Sequence, residues 1–88
     1  SVIANVAPKL SANFQDAMKN KDFDTALLIQ DKLLPLHRAA FLEPNPCPIK
    51  YALEVLGKCS SELRSPLCEI EEETKQIMHK ALKHAELI

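Results

Sequence analysis

Tryptophan is absent from this chain, and one glycine, one tyrosine and three phenylalanines are spread over its 88 residues. With so few large rings the core has to be aliphatic, and a lone glycine leaves little of the turn chemistry that hairpins need. Net charge is also lacking, since 11 Lys and Arg against 12 Asp and Glu leave -1. No basic field is available for a phosphate backbone, so nucleic acid is not an expected partner. No run approaches the ~20 consecutive apolar residues of a membrane helix, and the first residues lack the charged-then-apolar order of a signal peptide. A soluble, cytoplasmic chain with no membrane partner is expected.

The three cysteines, Cys47, Cys59 and Cys68, are odd in number and contain no C-x-x-C pair. That pattern fits neither a disulfide framework nor a zinc knuckle, and free thiols in a reducing compartment are expected. A chain of this length buries only roughly 60% of its unfolded surface when it folds alone, so stability is thin.

The periodicity predicts an all-α chain of four helices preceded by a short extended segment. Ser1 to Val6, rich in β-branched residues, reads as a strand end. From Pro8, a good first-turn residue, Leu10, Phe14, Ala17 and Met18 recur at helical spacing as far as Asn20, which gives a first helix over Pro8 to Lys19. Asp22 or Asp24 caps a second helix, whose apolar residues from Phe23 to Phe41 cover about 180° of the circumference. That is wider than the ~100° stripe of a surface helix, so apolar neighbours are expected on more than one side. Pro35 lies inside it and cannot donate to the Asp31 carbonyl. Ile49, Ala52, Leu53 and Leu56 form a third, short helix that Gly57 ends in the left-handed conformation, and Ser60 to Pro66 reads as a loop. The last helix opens on Glu69, Glu71, Glu72 and Glu73, closes on Lys80, Lys83 and His84, and buries Thr74, Ile77, Met78, Ala81, Leu82 and Ala85.

Few residues are candidates for chemistry. The glutamates at 69–73 point around a helix rather than converge, so helix-start charge accounts for them better than a cation site does. His79 and His84 lie roughly 140° apart on the last helix and read as solvated charge partners of its C-terminus. His37 and Gln30 sit near the centre of the second helix's apolar arc, where an unpaired polar group is costly, and each calls for a partner. Lys50 is a possible Schiff-base lysine, but it follows the strut at a helix start, and a structural contact is favoured. Cys47, between two prolines, has no base to activate it and reads as inert.

The segment "EPNPCPIK", Glu43 to Lys50, sets Pro44, Pro46 and Pro48 at every second position. Each proline biases the residue before it towards extended conformations and contributes no amide, so the segment is a semi-rigid strut between two helices. Together with "SVIANVAPKL", "LLPLHRAAFLEPNPCPIKYALEVLG", "RSPL" and "ALKHAELI", it makes the chain resemble, from end to end, the C-terminal portion of the dihydrodipicolinate synthase family. The specific part is F-x-E-P-N-P-x-P-x-K, here Phe41 to Lys50, with Glu43, Pro44, Asn45, Pro46, Pro48 and Lys50 as its structural positions.

That resemblance implies a (β/α)8 barrel followed by a three-helix extension in the parent protein. Residues 1–20 would be the last strand end and last helix of the barrel, and residues 21–88 the extension. Ser1, Val2 and Ile3 would then lie near the parent's active site, because barrel chemistry gathers at the C-terminal ends of strands. A barrel takes about 250 residues, so a C-terminal piece without the catalytic lysine, tyrosines or threonines is expected, with no cofactor, metal or catalytic residue of its own. The parent activity implied is Schiff-base condensation of pyruvate with aspartate semialdehyde. The partners implied are the parent barrel domain and further copies, a homotetramer for the parent; for the piece alone, the wide arc of the second helix and the strand end at Val2, Ile3 and Val6, left without a barrel to cover them, lead to an expected dimer. Two alternatives stay open: a free-standing helical interaction module, and the same segment of another pyruvate-dependent aldolase.

Overall fold

A computed structural model describes residues 2–58 and 69–88. Five helices follow one another among the described residues: α1 (Val2–Val6), α2 (Pro8–Lys19), α3 (Phe23–Ala39), α4 (Cys47–Val55) and α5 (Glu72–His84). None of them is long and apolar enough to cross a membrane. The expected loop over Ser60 to Pro66 lies outside the described residues.

The first element is a correction. Val2–Val6 is helical, not extended. Among the described residues there is no strand for this segment to pair with, and a lone strand leaves its amides unsatisfied. The helical alternative satisfies them locally, with Ala7 N–H donating to the Ile3 carbonyl at 2.8 Å and Ser11 N–H to the Ala7 carbonyl at 3.0 Å. Its apolar residues Ile3, Val6 and Ala7 are then buried against α2 and α4. Burial thus overrides β-propensity, which is a weak preference.

Three of the helices end in the same way. The residue after the C-cap takes a positive φ at Lys21 (59°), Gly57 (72°) and Glu86 (62°). The next amide then reaches back to satisfy a carbonyl: Asp22 to Ala17 at 2.7 Å, Lys58 to Leu53 at 2.8 Å and Leu87 to Leu82 at 2.9 Å. This is the Schellman arrangement, and only Gly57 adopts it without a Cβ penalty. The stop after α2 therefore falls on Lys21, one residue beyond the Asn20 expected from sequence. At its other end α3 is capped by Asp22, whose carboxylate accepts from the Thr25 amide at 3.3 Å and from the Thr25 hydroxyl at 2.7 Å.

The core joins α1, the C-terminal half of α3, α4 and α5 through Ile3, Val6, Leu36, Ile49, Met78 and Leu82. Alanines 7, 39, 40, 52 and 81 share it, and their small side chains let the helices approach closely. The assembly is elongated, 42 × 25 × 21 Å. In α5 the expected stripe is buried at Thr74, Met78, Ala81, Leu82 and Ala85, whereas Ile77 is exposed.

Candidate functional site: the proline joint and the outer face of α3

The proline segment turns the chain between α3 and α4 and ties it to α5. Its Asn45–Pro46 peptide is cis. Pro46 caps α4 and Pro48 sits in its first turn, fully buried, where a missing amide costs nothing because helix-start amides have no intrahelical partner. The Pro44 carbonyl accepts from the Cys47 amide at 3.1 Å, and the Pro46 carbonyl from the Lys50 amide at 2.9 Å. Glu43 reaches furthest: its Oε2 accepts from the Glu71 amide at 2.9 Å, at the mouth of α5. No side chain of its own caps α5. The first acidic position of the motif therefore supplies an anion to a helix start 28 residues away.

Behind this joint lies a mixed-charge cleft of about 320 Å³ lined by Lys50, Tyr51, Glu54, Glu69 and Lys75, with the Lys75 ammonium 5.9 Å from the centre of the Tyr51 ring. Lys50 stands among carboxylates and beside a tyrosine that is its chain neighbour. Cys47 lines the same cleft and is disulfide-bonded, its partner lying outside the described residues. This corrects the expectation of three free thiols: an odd count leaves one cysteine over but does not stop two from pairing. Among the described residues no group of three His, Cys, Asp or Glu converges as a metal site would require.

The second region is the outer face of α3. Here His37 and Gln30, expected to be buried with partners, are both exposed. They line a cleft of about 380 Å³ between α2 and α3 with Phe14, Leu33 and Leu34. His37 has Phe41 beside it, ring centres 5.9 Å apart. The arc is as wide as its sequence implies, but its middle faces outward. Helices α2 and α5 both pack on α3, which is buried at Ala26, Ile29, Leu36 and Ala39.

His84 has a task that sequence reasoning missed. Pro35 cannot donate to the Asp31 carbonyl, and His84 Nε2–H does so instead, at 3.0 Å, tying the end of α5 to the middle of α3. A carbonyl only accepts, so the tautomer follows from the geometry. Close by, the Lys32 ammonium contacts the Glu86 carboxylate at 2.7 Å. The hydrogen bond from Lys32, and then its charge, hold the Glu86 carboxyl below the usual carboxylate range. Of the residues expected near a barrel active site, Ser1 lies outside the described residues, Val2 opens α1, and Ile3 is buried in the helical core rather than at a strand end.

Known proteins with this pattern are readily found. The profile of the Dihydrodipicolinate synthetase family matches residues 1–85. A 4-hydroxy-tetrahydrodipicolinate synthase of Jannaschia sp. (strain CCS1) is 54% identical over 88 residues, all of this chain and 30% of that protein. Among solved structures, a dihydrodipicolinate synthase superposes with a TM-score of 0.85 at 44% identity, over all of this chain and 31% of the other. A monomeric dihydrodipicolinate synthase variant gives 0.87 at 35% identity, over all of this chain and 29% of the other. The chain thus spans about 30% of the length of the curated relatives it matches.

Proposed function

Because this chain belongs to the dihydrodipicolinate synthetase family, we propose that it acts as the C-terminal structural and assembly segment of a 4-hydroxy-tetrahydrodipicolinate synthase. In this reading the whole enzyme is a cytoplasmic lyase of lysine biosynthesis that condenses pyruvate with aspartate semialdehyde through a Schiff base. Residues 1–20 contribute the last barrel helix, α2, and residues 21–88 the extension built from α3, α4 and α5. The observation that carries the proposal is the match of the entire chain, at about half identity, to less than a third of each relative. The joint supports it: buried Pro48 and the Glu43 bond to the start of α5 tie the extension's helices together, a structural role. Partners follow from the same reading, a barrel domain and further copies in a homo-oligomer.

The 88 residues alone carry no activity in this proposal, and Lys50 is a structural lysine of the polar cleft. Incubation with pyruvate and borohydride, read by intact and peptide mass, tests this. No adduct is expected on this chain, while a full-length relative traps one. A stoichiometric adduct at Lys50 overturns the structural assignment.

A further inference from the structure

Cys47 is the first residue of α4 and stands, half-buried, in the mixed-charge cleft behind the proline joint. It is disulfide-bonded, and the sequence offers only Cys59 and Cys68 as partners. Both belong to the stretch 59–68 that joins α4 to α5. Whichever of them pairs, the bond ties the start of α4 to the connection that leads into α5, and one thiol is left over. The same entry to α5 is held from the joint by Glu43, whose carboxylate accepts from the Glu71 amide. The proline joint therefore has two ties to α5, one covalent and one a hydrogen bond.

The surroundings of Cys47 favour opening of the covalent tie. A sulfur leaves a disulfide as a thiolate, and positive charge beside it makes it the better leaving group. Cys47 lies at the positive end of the α4 dipole. Lys50, three residues on and so on the same face of the helix, lines the same cleft. Lys75 is the second cation there, with its ammonium over the Tyr51 ring. Glu54 and Glu69 line the cleft too and offset part of this field, but Glu54 stands two helical turns away from Cys47 and Lys50 only one.

We propose that the Cys47 disulfide is a redox-sensitive clasp, which a thiol reductant opens to loosen the entry of α5 from the proline joint. A reductant thiolate attacks the partner sulfur, the S–S bond breaks, and Cys47 leaves with the bonding pair as a thiolate. A second reductant thiol attacks the mixed disulfide and frees the partner cysteine. Two reductant thiols are thereby oxidised to one disulfide, and their two protons pass to the protein sulfurs. The chemistry does not depend on the parent activity. Its use in a cell rests on the cytoplasmic reading above, since disulfides in that compartment are transient and report redox state. Borohydride trapping reads the Lys50 amine and the experiment below reads thiols, so either fails without the other.

The test is equilibration of the 88-residue chain in glutathione buffers stepped over an about 10,000-fold range of reduced to oxidised form, followed by alkylation and peptide mass mapping. Cys47 is expected to pass from bonded to alkylated within that range and to return when the buffer is reversed. Lys50→Met should move its midpoint about 2-fold towards more reducing buffer, whereas Lys58→Met, past the other end of α4, leaves it in place. The urea midpoint should fall on reduction, and Cys47→Ser should show the lower midpoint in either buffer. A Cys47 still bonded in the most reducing buffer is a permanent staple, and one alkylated in the most oxidising buffer forms no bond; either result overturns the clasp. A urea midpoint that ignores reduction removes its hold on the joint, and equal shifts in the two lysine variants overturn the role given to the charge of Lys50.

Discussion

The helices α3 and α5 are both amphipathic, and they use their apolar residues in opposite ways. In α5 the stripe is narrow, and Thr74, Met78, Ala81 and Leu82 are all buried by the chain's own helices. In α3 the apolar arc is about twice as wide. One part of it, at Ala26, Ile29, Leu36 and Ala39, lies in the core, and another, at Phe23, Leu27, Leu34 and Phe41, stands in solvent. The width of an apolar arc therefore counts the surfaces a helix serves. α5 has one, inside the fold, and α3 has a second that this chain leaves exposed.

The sharpest break in this comparison is between Leu82 and Leu27, the same side chain in the two settings. Leu82→Ala opens a cavity in a fully buried site and is expected to cost about 2–5 kcal/mol. That approaches the whole stability of a domain this small, so unfolding in urea should shift to very low denaturant or lose its baseline. Leu27→Ala, at an exposed position, should stay within about 0.5 kcal/mol of the unsubstituted chain. Equal losses would mean that the outer face of α3 is covered within one chain.

A smaller effect tests how the two helices are joined. Removing the imidazole in His84→Ala leaves the Asp31 carbonyl without the donor that replaces the missing Pro35 amide, at a cost of about 1 kcal/mol. In a Pro35→Ala background the helix regains its own amide donor, and the same His84→Ala change should cost clearly less. A double-mutant cycle in urea reads that coupling. Identical losses in both backgrounds would show that His84 acts by packing alone.

The smallest effect is electrostatic and lies where α5 ends against α3. The Glu86 carboxyl is lowered in the folded chain by its hydrogen bond to Lys32 and by the Lys32 charge. A depressed folded value means that the contribution is complete above the unfolded-state value and is lost as pH falls through the folded one. Both side chains are well exposed, so the effect is slight and fades with salt. Lys32→Met should raise the Glu86 titration midpoint followed by carbon-detected NMR and remove this part of the acid sensitivity. A midpoint that stays put would leave the ion pair without a thermodynamic role.

Much of this architecture is legible in the sequence where local rules decide. Pro8 and the 3.6-residue spacing set the limits of α2, Asp22 starts α3, and Gly57 ends α4 at the position its missing Cβ suits. The misreadings share a cause, which is that tertiary partners are not written locally. Val2–Val6 has strand-like residues but no strand among the described residues to join. His37 and Gln30 occupy the middle of an apolar arc, and periodicity states how wide an arc is without stating which part the fold covers. The bond from Glu43 to the Glu71 amide spans 28 residues and leaves no spacing signature. The acceptor freed by Pro35 is readable from sequence, whereas its donor, His84, needed the fold.

NMR spectra of the 88-residue chain with a soluble paramagnetic probe test the division of α3 most directly. Resonances of Phe23, Leu27, Leu34, His37 and Phe41 should broaden strongly, while those of Met78, Ala81 and Leu82 are spared. Broadening spread evenly over both helices, or confined to α5, would contradict the division of α3 into an inward and an outward apolar face.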